Sequence, residues 1–191
     1  MERICVFCGS NSGNSREYLS AAAGLGKLLA ERGIGLVYGG SNVGLMGALA
    51  DSALAAGGEV IGVIPQSLVD REVAHRGIND LRIVGSMHER KALMADLAAG
   101  FIALPGGYGT FDELCEILTW AQLGIHTKPI GLLNTLGYWA PFVAFLDHAV
   151  DAGFLRPGHR KMLEIADTGP ELLELLERAP VHSESKWSVN P

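Results

Sequence analysis

Long hydrophobic runs are missing from this 191-residue chain. No stretch approaches the ~18 apolar residues that a membrane-spanning helix needs. The only apolar run near the N-terminus, within "MERICVFCGS", is a handful of residues that stops at a glycine–serine turn, too short for the core of a signal peptide. The expected compartment is the cytoplasm. Runs of lysine or arginine are absent too, and the net charge is −6. A nucleic-acid polymer or an anionic membrane surface is therefore not an expected partner. Cysteine is scarce, with only Cys5, Cys8 and Cys115. Cys5 and Cys8 have C-x-x-C spacing, but in a strand residues three apart point to opposite faces, and no second cysteine pair completes a zinc site. The expectation is no metal and reduced thiols. The P-loop pattern G-x-x-x-x-G-K-[ST] does not occur, and the dinucleotide pattern G-x-G-x-x-G fails after Gly107 and Gly109, where Asp112 holds the third glycine position. ATP hydrolysis and NAD binding thus lose their main sequence support.

What is abundant is glycine, 25 residues in a chain that is 48% apolar and 19% charged. That is a globular composition with many tight turns or close backbone approaches. Strands are predicted at 3–7, 34–40, 59–65, 81–85, 101–105 and 128–134. Helices are predicted at 15–33, 44–58, 86–100, 110–124, 138–154 and 169–179. Strands that are apolar almost throughout, separated by crossover helices, indicate a Rossmann-like open parallel sheet covered on both faces. Neither an internal repeat nor a linker is visible, so residues 1–180 are expected to form one α/β domain. The polar, aperiodic segment 181–191 is expected to be a loose tail.

Ligands of such sheets bind beyond the carboxyl ends of the strands. Three strands end there in glycine-rich turns: "CGSNSG" (8–13), "YGGSNVG" (38–44) and "LPGGYGT" (104–110). In the third turn Gly106, Gly107 and Gly109 leave a following helix N-terminus open to a phosphate or another anion. The glycines can equally be read as turn formers.

Two charged positions stand out. On the helix "SMHERKALMADLA", Met87, Arg90, Lys91, Met94 and Ala98 share one face, with His88, Glu89, Ala92 and Asp96 opposite. Arg90 and Lys91 thus sit among apolar positions. Either they snorkel to water or they point at an anion, for which the planar guanidinium fork suits phosphate or carboxylate oxygens. Thr110-Phe111-Asp112-Glu113 matches the capping box S/T-x-x-E, in which Glu113 would reach back to the Thr110 amide. Beside the glycines, Glu113 would otherwise be a carboxylate at the rim of an anion site, kept charged by the helix's positive end. A carboxylate, a cationic fork and a phosphate cradle together suggest hydrolysis at the sugar of a nucleotide, where a carboxylate stabilises oxocarbenium charge.

The motifs "PGGYGTFDE" (105–113) and "MHERK" (87–91) resemble P-G-G-x-G-T-x-x-E and M-H-x-R-K of the Lonely Guy family, the cytokinin riboside 5′-monophosphate phosphoribohydrolases. "CGSN" (8–11), "YGGSNVGLMG" (38–47) and "TWAQLGIHTKPIGLLN" (119–134) are similar to its pattern as well. The resemblance covers roughly residues 3–155. It implies a Rossmann-like homodimer, without cofactor, that cleaves AMP-type nucleotides to free base and ribose 5-phosphate. By position it implies Arg90 and Glu113 as the catalytic pair. It places Gly107, Tyr108, Gly109 and Thr110 at the phosphate. Ser10, Gly40, Ser41, Glu72, Met87, Lys91, Gly106, Asp112 and Thr119 become further substrate-binding positions. Beyond an R-E pair, the loop "DREVAHRG" departs from the plant-like pattern. A non-enzymatic nucleotide or molybdenum-cofactor carrier of the same fold is the alternative. The name lysine decarboxylase, often attached to such sequences, finds no support in the residues, because pyridoxal phosphate chemistry needs a Schiff-base lysine with a partner for the pyridine nitrogen.

Overall fold

The computed structural model describes residues 1–69 and 74–180. The residues of the expected tail at 181–191, and Glu72 with its neighbours, lie outside that description. Seven parallel strands form a single sheet in the order β4-β3-β2-β1-β5-β6-β7. They are β1 (Arg3–Phe7), β2 (Gly35–Tyr38), β3 (Val60–Pro65), β4 (Asp80–Val84), β5 (Gly100–Ala103), β6 (Ile130–Leu133) and β7 (Leu163–Ala166). The connecting helices are α1 (Arg16–Glu31), α2 (Gly44–Ala55), α3 (Gln66–Val69), α4 (Met87–Leu97), α5 (Tyr108–Gln122), α6 (Ala140–Asp151), α7 (Pro157–Arg160) and α8 (Gly169–Arg178).

The strands are apolar on both sides because both sides are covered. Ile4, Val6, Leu36 and Tyr38 face a core with Leu25 and Leu29 of α1, Leu45 and Leu49 of α2, and Leu172 and Leu176 of α8. Cys5, Phe7, Val37 and Phe101 face the other way, against Met94 of α4, Leu114 and Ile117 of α5, and Trp139. Cys5 and Cys8 therefore belong to opposite layers, and all three cysteines are free thiols.

The chain order places the site. From β1 it builds outward through β2, β3 and β4, then returns to the other side of β1 with β5 and continues to β7. The reversal lies between β1 and β5, where Ile4 pairs with Gly100 and Phe7 with Ala103. Helices leaving the two strands diverge there, so a crevice opens at their carboxyl ends. Two of the three glycine-rich turns meet at that point: the Gly9 amide donates to the Pro105 carbonyl at 3.1 Å.

Several expectations need correction. β7 ("LEIA") was not expected: it is four residues long, at the sheet edge and half-exposed at Glu164 and Ile165, so its pattern is weak. The short helices α3 and α7 were not expected either. Gly100 belongs to β5, because α4 stops at Leu97. α5 begins two residues earlier than expected, with Gly107 as its N-cap. Thr110 is then a buried residue inside the first turn rather than the cap, and Glu113 falls in the second turn. The capping box is not formed, and the helix's positive end acts on Glu113 less than expected, since that effect fades beyond the first turn.

Candidate active site

At the switch point lies a cavity of about 470 Å³. Its walls come from the β1 turn (Cys8 to Gly13), from Gly39 after β2, from the 105–110 turn, from Leu45 and Met46 of α2, and from Tyr18 and Tyr138. Arg90 and Glu113 line it from α4 and α5.

Arg90 enters from below the strand ends. Its Nε donates to the Val63 carbonyl at 3.1 Å and its Nη2 to the Gly39 carbonyl at 3.2 Å. Nη2 also lies 3.8 Å from Glu113 Oε1, with the two side chains only 8% and 10% exposed. An arginine this deep is tolerable because carbonyls and a carboxylate replace its water. Among the described residues its remaining nitrogen, Nη1, meets only the Met87 sulfur at 3.8 Å, a weak acceptor, and keeps donor capacity for a ligand oxygen. Gly39 makes the arrangement possible: a Cβ there would come within 2.1 Å of Arg90 Nη2.

The α5 N-terminus forms another wall. Gly107 caps it with extended backbone, and among the described residues no side-chain cap bond closes its first amides. Helix geometry leaves those amides without intrahelical partners. A Cβ at Gly106 would strike the Thr110 hydroxyl at 2.1 Å, so this glycine has an internal reason. Gly107 and Gly109 have none: a Cβ on either would meet nothing within 4 Å. Small residues with empty space before them, at an uncapped helix start, fit an anion as large as a phosphate. Cys8 adds a neutral surface, for burial pushes its thiol pKa up, and the Glu113 carboxylate raises it further against the opposing Arg90.

Of the positions expected from sequence, the cavity brings together Arg90, Glu113, Ser10, Gly106, Gly107, Tyr108, Gly109 and Thr110. Other positions stand back from its walls. Gly40 has a left-handed φ of 76° and packs against Ile64 and Leu81. Ser41 is fully buried and accepts from the Val43 amide at 3.4 Å. Met87 supports Arg90 by its sulfur. Thr119 donates to the Cys115 carbonyl of its own helix. Lys91 emerges beside Arg90 but binds Asp112 at 3.0 Å and Glu116 at 3.1 Å, joining α4 to α5. Burial disfavours the Lys91 charge, yet its hydrogen bonds to those carboxylates outweigh burial and raise its pKa. Such an ammonium is a structural tie, and a poor Schiff-base nucleophile. Tyr18 and Tyr138 were missed by sequence reasoning. Only the aromatic after Gly137, in a glycine-bearing turn following a strand, hinted at the second.

The family model described as "Possible lysine decarboxylase" matches residues 46–176. A protein of Oryza sativa subsp. japonica named cytokinin riboside 5′-monophosphate phosphoribohydrolase LOG is 54% identical over 175 residues, covering 92% of this chain and 72% of that protein. LOG2 of Arabidopsis thaliana, named for the same activity, is 51% identical over 183 residues, covering 95% and 86%. Among solved structures, the molybdenum cofactor carrier protein of Chlamydomonas reinhardtii superposes with a TM-score of 0.71 at 23% identity, over 93% of this chain and 96% of that one. The molybdenum cofactor binding protein of Rippkaea orientalis gives 0.68 at 24%, over 93% and 96%. At that identity the two structures speak for the fold alone. Half-identity over nearly the whole chain says more, and the chain belongs to the family of the cytokinin riboside 5′-monophosphate phosphoribohydrolases.

Proposed function

We propose that this protein hydrolyses the N-glycosidic bond of AMP-type nucleoside 5′-monophosphates, N6-modified cytokinin nucleotides included, to free base and ribose 5-phosphate. The observation that carries the reading is the buried Arg90–Glu113 pair beside an uncapped, glycine-opened helix start. A phosphate at the first amides of α5 would lay the ribose across Arg90 and Glu113. As the C1′–N bond breaks, positive charge grows on the ribose, and the Glu113 carboxylate stabilises it. Water adds at C1′, and its proton leaves, by way of Glu113, with the departing base. Arg90 holds Glu113 on one side and offers Nη1 to an oxygen of the ribose or phosphate on the other.

The substrate is a small molecule. Lys91, Asp112 and Thr119 act from behind the wall, and Ser10 and Thr110 offer hydroxyls at it. We further propose a cytoplasmic homodimer. Incubation with AMP, prenylated AMP, GMP and CMP, followed by chromatography for free base, tests the reading. Release of adenine or its prenylated form is expected. Nucleotide binding without base release from any of the four would leave a carrier instead.

A further inference from the structure

We propose that Tyr138 is a positioning residue of the phosphate site: its hydroxyl holds the Gly106 carbonyl and thereby makes the 106–107 peptide compatible with an anion. This inference rests on the reading of the 106–110 turn as a phosphate cradle.

A carbonyl in the wall of an anion site is a liability, because its partial negative charge opposes the ligand. Gly106 and Tyr138 both line the cavity, and the Tyr138 hydroxyl donates to the Gly106 oxygen. That bond occupies one of the carbonyl's two lone pairs, draws its negative charge toward the hydroxyl and helps fix the plane of the peptide. Because the peptide is trans, the Gly107 N–H must point opposite to the tethered carbonyl. One hydrogen bond thus sets the direction of a donor and mutes an acceptor.

The segment carrying Tyr138 is built to hold it there. The 3-10 turn Thr135–Gly137 follows β6. Within it Leu136 has a φ of 55° although it is 64% exposed. A leucine in the left-handed region is strained, and this one, exposed, recovers little by packing. Asn134 anchors the turn: its amide donates to the Ala166 carbonyl at 2.8 Å, and its side chain donates to Asp167 at 3.1 Å and accepts from the Trp139 amide at 2.9 Å. The Tyr138 ring is clamped edge-on by Tyr18 at 6.1 Å and by the buried Trp139 at 5.2 Å. Strain in an exposed turn, with anchors on both sides, buys the placement of one hydroxyl. Gly106 lines the cavity, so removing the hydroxyl is expected to leave the fold intact.

The test is Tyr138→Phe, which keeps the ring and its edge contacts. Calorimetric titration with ribose 5-phosphate and steady-state kinetics with AMP are run on the parent and the variant. Affinity for ribose 5-phosphate is expected to fall roughly three- to tenfold, the scale of one hydrogen bond at a site. KM for AMP should rise by a similar factor while kcat is kept, and the unfolding midpoint should move little. Unchanged affinity for ribose 5-phosphate overturns the inference while leaving the cradle in place. So does a fall in kcat at constant KM, which would put the hydroxyl in the chemical step. If the parent itself does not bind ribose 5-phosphate, the cradle reading fails and this inference with it.

Discussion

A single hydrogen atom in place of a methyl group decides whether Arg90 can reach the site. Gly39→Ala would set a Cβ 2.1 Å from Nη2, so the guanidinium would have to withdraw from the Gly39 carbonyl and from Glu113. Turnover is expected to fall with that one methyl, nearly as far as in Arg90→Ala. Arg90→Ala itself should weaken nucleotide binding and turnover together, if Nη1 holds substrate in the ground state. Glu113→Gln separates the chemistry from the binding. Gly107, not Thr110, caps α5, so this change removes no cap and the fold should survive. It removes the negative charge proposed to face the ribose, and a loss on the order of 10²-fold in kcat is expected, with AMP affinity held or improved. Steady-state kinetics and titration on the three variants check this set. A Glu113→Gln enzyme as fast as the parent would reduce Glu113 to a partner of Arg90.

At the scale of elements, the N-terminus of α5 shows what a sequence makes legible. The apolar strands and their order of appearance were readable, because a strand covered on both faces has to be apolar throughout, as in "RICVF" and "VIGVIP". The grouping of Arg90 with Met94 on one face of α4 followed from helical periodicity, and both are buried. The start of α5 was misread because a capping-box pattern at 110–113 coincides with a glycine that caps from 107. The bonds of Lys91 to Asp112 and Glu116, and of Tyr138 to Gly106, join residues 21 to 32 apart in sequence, and no local period reports such pairs. The same helix start supports a prediction. A methyl at Gly109 meets open space, so Gly109→Ala costs the folded protein no clash. It should raise stability by about 0.5 kcal/mol, chiefly by restricting the unfolded chain. It should also intrude on the ligand's volume, so KM for AMP should rise while the denaturation midpoint rises. A variant more stable and equally tight for AMP would show that the space before Gly109 is not the phosphate's.

Taken as a whole, the molecule keeps apolar side chains at its surface: no residue of α6 is buried, and Ile125, Phe145 and Phe154 are exposed. Surface of that kind is commonly covered by another copy. Light scattering at micromolar concentration should give about twice the 20.3 kDa of one chain, and a monomeric mass would count against the dimer. The pH dependence of global stability is expected to trace in part to His126, which ties α5 to the segment before β6. Its Nε2 lies 3.0 Å from the Ile117 carbonyl, and its Nδ1 accepts from the Lys128 amide at 3.1 Å. Those two partners specify the neutral ring with its proton on Nε2. A second proton on Nδ1 would confront the Lys128 N–H. Burial against Phe101 lowers the His126 pKa below its ordinary 6.5; the bond to Ile117 opposes this and the Lys128 charge adds to it. With the folded pKa depressed, the unfolded chain binds the extra proton more readily below pH 6.5. The contribution to stability is therefore fully present above that pH and is lost as the pH falls through the depressed folded value. Denaturant midpoints measured at about pH 7.5 and about pH 5.5 should drop on acidification. In His126→Asn the midpoint should be lower throughout, because both hydrogen bonds are disturbed, but the drop between the two pH values should shrink. An equal drop in parent and variant would show that His126 is not the source of the acid sensitivity.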